Sequence, residues 1–367
     1  MDNTKKRKIV RNFVIGYLII QVLTIVVYLG FWSLHPEGIT NVTNERMSPP
    51  PIFPDYKGTT IPYNIAPLNF RINVPADECY AKIEGSESEV FEYHGTNTIR
   101  FKMKDWIRLT RANRGKAFFV TIATKIGDEW TKWAPFSVYI SDQAIDSHLV
   151  YRLIEPGYEK WHIVGIYQRN LESFDEQPII RNDMTGYNCM NCHSFCMGDP
   201  GQMMFHMRAA NGGTYIVQDK KISKLNTKTN GTISNMTYPF WHPSGRYITT
   251  SVNDIKQFFH SVKEKKMEVF DLESDVVVYD SWSSNSDWVV FSSRRDNGLY
   301  TLPYICYIGK DGKPSKPFLL PQEDPDKYDY QLYSYNIPEL TKGAVEVSPY
   351  EIQQVAEKNK PEQVRFK

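Results

Sequence analysis

Apolar and polar residues alternate through much of the first third of the chain. Leu68, Phe70, Ile72 and Val74 are separated by Asn69, Arg71 and Asn73, and Ile99, Phe101 and Met103 by Arg100 and Lys102; Phe136, Val138 and Ile140 repeat the pattern. A period of two puts successive side chains on opposite faces, which predicts short strands with one buried face. Separated by polar turns over residues 61–148, these strands predict a small β-sandwich of immunoglobulin or fibronectin type. The Cys-Trp-Cys framework of antibody domains is missing, because Cys79 stands alone in this region.

A different pattern precedes it. Lys5, Lys6, Arg7, Lys8 and Arg11 form a basic flank within residues 1–12, and residues 13–32 are then mostly apolar, from Phe13 to Trp32. About twenty such residues cross a hydrocarbon core as a helix. No small-x-small cleavage site follows Leu29, so the stretch predicts an uncleaved transmembrane signal anchor with its positive flank in the cytoplasm; a cleaved signal peptide is the alternative. Residues 33–60, with Ser48-Pro49-Pro50-Pro51 and Pro54, read as a stiff extended tether.

Beyond residue 148 the signals are less regular. Residues 149–211 mix a strand-like run at Leu149, Tyr151 and Leu153 with polar connections, a junction in which Asp199-Pro200-Gly201 predicts a turn and Gln202–Ala210 a short helix. Over residues 212–340 a motif recurs. Phe240-Trp241-His242-Pro243-Ser244-Gly245-Arg246-Tyr247-Ile248 and Ser281-Trp282-Ser283-Ser284-Asn285-Ser286-Asp287-Trp288-Val289 align on their first tryptophans at a spacing near that of a propeller blade. In residues 341–367, Ser348-Pro349-Tyr350-Glu351 carries a capping box with proline at the first helical position, and Ile352, Val355 and Ala356 give the following helix an apolar face.

Composition narrows the class. Aromatic residues make up 14% of the 367, with 22 Pro and 21 Gly, as in turn-rich β structure with ample core material. The 43 basic and 42 acidic residues nearly balance, so no basic stripe points to nucleic acid. No Ser-His-Asp, carboxylate-pair or phosphate-loop pattern supports a hydrolase or a nucleotide enzyme.

The chemistry concentrates at Cys189-Met190-Asn191-Cys192-His193. Two thiols at this spacing can each add to a vinyl group of haem, and the adjacent histidine then ligates the iron from one face. With five Cys and eight His, composition alone yields such a string with an expectation of roughly 10⁻³. Cys189 and Cys192 are therefore the expected covalent haem attachment residues and His193 the proximal iron ligand. For the sixth position His206 is the first candidate, with Met203, Met204, Met207 and His260 behind it. A zinc site through Cys189, Cys192, Cys196 and His206 is the rival. Cys306 could pair with Cys79 or Cys196, or stay a buried thiol. Export across a bacterial inner membrane and c-type haem attachment point to the same compartment, the periplasm.

The run WHPSGRYI resembles the blade signature of TolB-type, WD-like β-propellers. Together with CMNCHSFC, FHMR, FFHS, EVFDLESDVVVYD and SWSSNSDWVVFSSRRDNGLY, it resembles a group of membrane-anchored propeller proteins that carry a c-type haem motif before the blades, over about residues 149–340. The resemblance implies a propeller and one haem. Residues 212–336 have length for only about three blades, so this chain looks internally shortened. The expected function is electron transfer by a cytochrome c-like, membrane-anchored protein to or from a redox partner in the envelope. The alternatives are a non-enzymatic interaction module, in which the metal site is structural or sensory, and a peroxidase-like haem activity.

Overall fold

The computed structural model describes residues 15–24, 42–155, 163–232, 235–251, 280–296 and 298–364. Over these residues the protein is mainly β, with several separate sheets and no closed barrel.

Helix α1 (residues 15–24) is the described part of the expected anchor, and its Ile15, Leu18, Ile19, Ile20, Val22 and Leu23 are exposed. Its ten residues span about 15 Å, and among the described residues no helix is long and apolar enough to cross a membrane. The basic flank, the rest of the anchor and His260 lie outside the described residues.

The N-terminal part contains β1 (Val42–Arg46), β2 (Ile52–Phe53), β3 (Thr60–Pro62), β4 (Phe70–Ile72), β5 (Glu78–Glu84), β6 (Val90–Gly95), β7 (Thr98–Ile99), β8 (Ala117–Ile126), β9 (Glu129–Trp133) and β10 (Phe136–Ser141). Seven of these form one sheet around β8: β5 lies on one side of it, and β10 and β9 share the other. The strands β2, β4 and β7 form a second, smaller sheet. Leu68, Phe70, Ile72, Phe136, Val138 and Ile140 are buried, as the alternation predicts.

Two local expectations fail here. The tether is not free from Val42 onward: β1 pairs in parallel with β9, Ile52 and Tyr56 are buried, and the Asn73 amide donates to the Pro51 carbonyl at 2.8 Å. The prolines of this stretch, Pro49–Pro51 and Pro54, flank the short strands instead of occupying them, where no ladder donor is required. Met103 does not continue a strand but opens α2 (Met103–Ala112), which buries Trp106, Leu109 and Thr110 on one face. Trp106 anchors it, donating its indole N–H to the Ile65 carbonyl at 2.7 Å and packing edge-on against Phe118.

Residues 149–211 are largely strand. They supply β12 (Gly165–Asn170), β13 (Glu176–Arg181), β14 (Met190–Cys196), β15 (Asp199–Met207) and, with His148, β11 (His148–Ile154). Then follow β16 (Gly213–Gln218), β17 (Lys221–Asn226), β18 (Thr237–Trp241), β19 (Ile248–Ser251), β20 (Asp280–Trp282), β21 (Trp288–Ser293), β22 (Leu302–Tyr307), β23 (Phe318–Leu319), α3 (Lys327–Tyr330), β24 (Ser334–Thr341), α4 (Pro349–Lys358) and β25 (Glu362–Gln363). These strands make four sheets, ordered β13-β12-β11-β24, β14-β15-β16-β17-β25, β18-β19 and β20-β21-β22-β23.

The expected helix over 202–210 is the strand β15, followed by a 3₁₀ turn at Ala209–Asn211. Met203, Phe205 and Met207 bury one face of β15 against the β11–β13 sheet and α4, while Met204 on the other face packs with Cys196 and Trp241. A strand buried on both faces is apolar throughout and shows no alternation to read. The turn before it falls at Met197-Gly198, both with left-handed φ (+52° and +68°), as a two-residue hairpin requires.

The tandem motif reappears in three dimensions. Trp241 pairs with Ile248 across β18 and β19, and Trp282 with Val289 across β20 and β21. Both hairpins turn through a left-handed residue four positions after the tryptophan, Gly245 and Ser286. In both, the residue after the tryptophan closes the loop: His242 N–H donates to Tyr247 O at 2.8 Å, and Ser283 N–H to Trp288 O at 2.9 Å. The capping box is present too, with Ser348 Oγ accepting from the Glu351 amide and Glu351 Oε2 from the Ser348 amide.

Candidate functional site

The first strands of three sheets, β14, β18 and β20, together with β24 of the fourth, wall a cavity of about 660 Å³. Hydrogen bonds tie these strands across sheet boundaries. Trp241 Nε1 donates to Ser194 O at 3.3 Å, Phe195 N–H to Glu339 Oε1 at 3.3 Å, and Leu340 N–H to Ser281 Oγ at 3.4 Å. Among the lining residues are Cys192, His193, Met197, Trp282 and Glu339.

Cys189 immediately precedes β14 and does not line the cavity, whereas Cys192 and His193 lie on the strand and do; a straight strand would turn the two thiols to opposite faces. The strand is not straight there. Asn191 pairs with His206 and Ser194 with Met204, so Cys192 and His193 together oppose the single residue Phe205. This is a β-bulge, and Cys192 takes the left-handed conformation that re-aims the chain (φ +53°). Both thiols are half-buried and unpaired. Burial pushes the Cys189 thiol up, opposed by the Arg208 and Arg152 guanidinium groups and reinforced by Cys192.

His193 is buried, and among the described residues neither of its ring nitrogens has a hydrogen bond of good geometry. Burial lowers its pKa to about 3, helped by the Arg152 charge and opposed slightly by the nearby Ile337 backbone. The ring is therefore neutral at physiological pH, the form that binds metal. Its Nε2 lies 3.8 Å from Glu339 Oε2, an oxygen that is itself buried without a partner. Burial raises Glu339 to about 8, the Phe195 amide holding it down only in part, so this carboxyl is largely protonated at neutral pH. Arg152 is held above them by the Met190 carbonyl (3.2 Å) and Asn336 Oδ1 (2.6 Å).

The other expected ligands lie elsewhere. Met203, Met204 and Met207 are core residues of β15, one strand out from the cavity, and none of them lines it. His206 is buried there too, its Nδ1 hydrogen-bonded to Thr214 Oγ1 at 3.0 Å, with burial lowering its pKa to about 4. Cys196 packs against Met204 and Trp241. The zinc set of Cys189, Cys192, Cys196 and His206 is thus not brought together; among the described residues no group of three or more His, Cys, Asp or Glu side chains is gathered to hold a metal ion. Cys79 and Cys306 are buried and unpaired.

Sequence reasoning did not find Glu339, Met197 or Arg152. Each is remote from the motif or carried by an unremarkable turn, and the one available signal was a lone carboxylate inside the β-like run of residues 334–341.

No protein-family model matches the chain, and no curated protein matches it. Among solved structures, a DUF4784 family protein from Bacteroides caccae aligns over 77% of this chain and 69% of its own, at 11% identity and a TM-score of 0.13. A likeness that slight carries no argument about fold or function.

Proposed function

We propose that this chain is an exported, membrane-anchored c-type haem protein that passes electrons to or from a partner in a bacterial envelope. The four sheets would act as a small propeller-like array, and the N-terminal sheets as a sandwich that stands between it and the membrane. One observation carries the reading: Cys192 and His193 of the C-x-x-C-H string sit at a bulge of β14 on the wall of a cavity, with Cys189 just before that strand and outside the lining, and with the histidine buried and neither ring nitrogen in a well-formed hydrogen bond among the described residues.

The residues fit the group in their chemistry. Cys189 and Cys192 are half-buried thiols at the attachment spacing, and both are free. Tyr238, Phe240 and Trp282 line the same cavity and are exposed, an apolar surface suited to a flat macrocycle. His193 is neutral and aimed at Glu339, so coordinating iron from the cavity needs its ring to turn away from that carboxyl. A bound haem supplies a one-electron couple. The chain's part is to anchor it through two thioethers, offer the imidazole, and exclude water by the aromatic wall, which favours the less charged, reduced form.

The test is covalent haem. The full chain, made in a host with a c-type haem maturation system, should retain haem on a denaturing gel by peroxidase staining and reduce reversibly by absorption. Replacing both Cys189 and Cys192 with alanine should abolish the stain. Unstained wild-type chain of normal yield overturns the proposal. The same exposed aromatic rings favour, as a second reading, an envelope interaction module that binds a ligand in this cavity; that reading gains if the chain folds without haem.

A further inference from the structure

We infer that the cavity walled by β14, β18, β20 and β24 is a binding site for a neutral saccharide, whose ring stacks on Phe240 and Trp282 while its hydroxyls meet the polar side chains beside them. The inference rests on the second reading above, in which this cavity takes a ligand, and needs no haem.

The backbone singles this cavity out, because three of its wall strands are bulged. In β14 Cys192 and His193 oppose Phe205, in β18 Tyr238 and Pro239 oppose Thr250, and in β24 Ile337 and Pro338 oppose Tyr151. Each bulge holds a non-glycine residue in the left-handed region, Cys192 at +53°, Tyr238 at +47° and Ile337 at +51°, and all three residues line the cavity. Side chains disfavour that region, a β-branched isoleucine most of all, and such strain gathers where a ligand has to be held. A bulge re-aims the residues it carries. Three of them converging on one space mark it as built for an occupant.

The lining restricts what that occupant can be. Among the described residues no Lys, Arg or Asp lines the cavity, so nothing there pairs with a phosphate or a carboxylate. An extended peptide needs free backbone groups along a strand edge. Here they are engaged: Phe195 N–H donates to Glu339, Leu340 N–H to Ser281, and the Ser194 carbonyl accepts from Trp241. A saccharide suits what remains. Phe240 and Trp282 are 73% and 52% exposed and offer flat apolar faces to the C–H face of a sugar ring. Ser194, Ser286 and Tyr238 supply hydroxyls, which donate and accept as those of a sugar do. At about 660 Å³ the cavity has room for more than one ring.

Full-length protein would be titrated by isothermal calorimetry with maltohexaose, cellohexaose and mannohexaose as neutral probes, and with hexagalacturonate and an uncharged extended hexapeptide as controls. The haem stain would be run on the same preparation. At least one neutral probe should bind, and Trp282→Ala and Phe240→Ala should each weaken it about tenfold. Phe119→Ala, which removes an exposed ring of the N-terminal sheet, should match wild type. Failure of every neutral probe, preference for the acidic or the peptide probe, or affinity unchanged by both cavity substitutions overturns the inference. Peptide binding in the cavity would leave the second reading standing without the saccharide, and stained protein that binds no sugar would leave the haem reading standing. Sugar binding by unstained protein sustains the inference and fails the haem reading.

Discussion

Replacing Glu339 with glutamine should stabilise the haem-free protein at neutral pH and leave it unchanged in mild acid. In the folded chain burial raises this carboxyl from its usual 4.5 to about 8. Between those values the native state keeps a proton that the unfolded chain has released, so native protein binds more protons and stability falls as pH rises. At about 1.4 kcal/mol per pH unit, the difference at pH 7 is about 3 kcal/mol. His193 acts in the opposite sense. Its pKa is lowered to about 3, so the unfolded chain binds more protons from the usual 6.5 downward, and stability falls with pH below that value. His206, lowered by burial to about 4, adds a second slope of that sign, so between about pH 4.5 and 6.5 the two histidines outweigh the carboxyl and stability rises with pH. Urea titrations from pH 4.5 to 8 on wild type and Glu339→Gln would measure it. The variant should lose the decline above pH 6.5 and gain stability progressively toward pH 8. Equal slopes in the two proteins, or a variant less stable at pH 8 than wild type, would refute the buried, protonated carboxyl.

Other expectations follow from the packing. Trp106→Ala removes a buried ring and its hydrogen bond to Ile65 and should cost about 3–5 kcal/mol in chemical denaturation. Ser348→Ala removes one half of the capping box of α4 and should cost about 1 kcal/mol by the same measurement. In haem-free protein, a thiol reagent should modify Cys189 and Cys192 well before the other three cysteines. Cys79, raised by burial to about 11, should be among those needing denaturant.

What could be read along the chain was local. Alternation at residues 68–74 and 136–140, the capping box before α4 and the tandem tryptophan hairpins each depend on neighbours a few positions away, and each is present in the structure. Strand β15 was misread because both of its faces are buried, and α2 because Ile99, Phe101 and Met103 continue a strand pattern into its first residue. Cys192 and His193 were legible as chemistry. Glu339 was not, because 146 positions of chain separate it from the histidine it faces, and only the pairing of β24 with β11 brings it there.

That pairing has a consequence for biogenesis. Strand β24 joins residues 334–341 to residues 148–154, so the last wall of the cavity arrives only after nearly all the chain has emerged. Until then the C-x-x-C-H strand stands with one flank open, accessible to any factor that must reach its thiols. A chain truncated before Ser334 would lack β24 and leave that flank of β14 open. The enclosure of this cavity therefore depends on the order in which the polypeptide is delivered: the wall that β24 supplies comes after the three others in the chain.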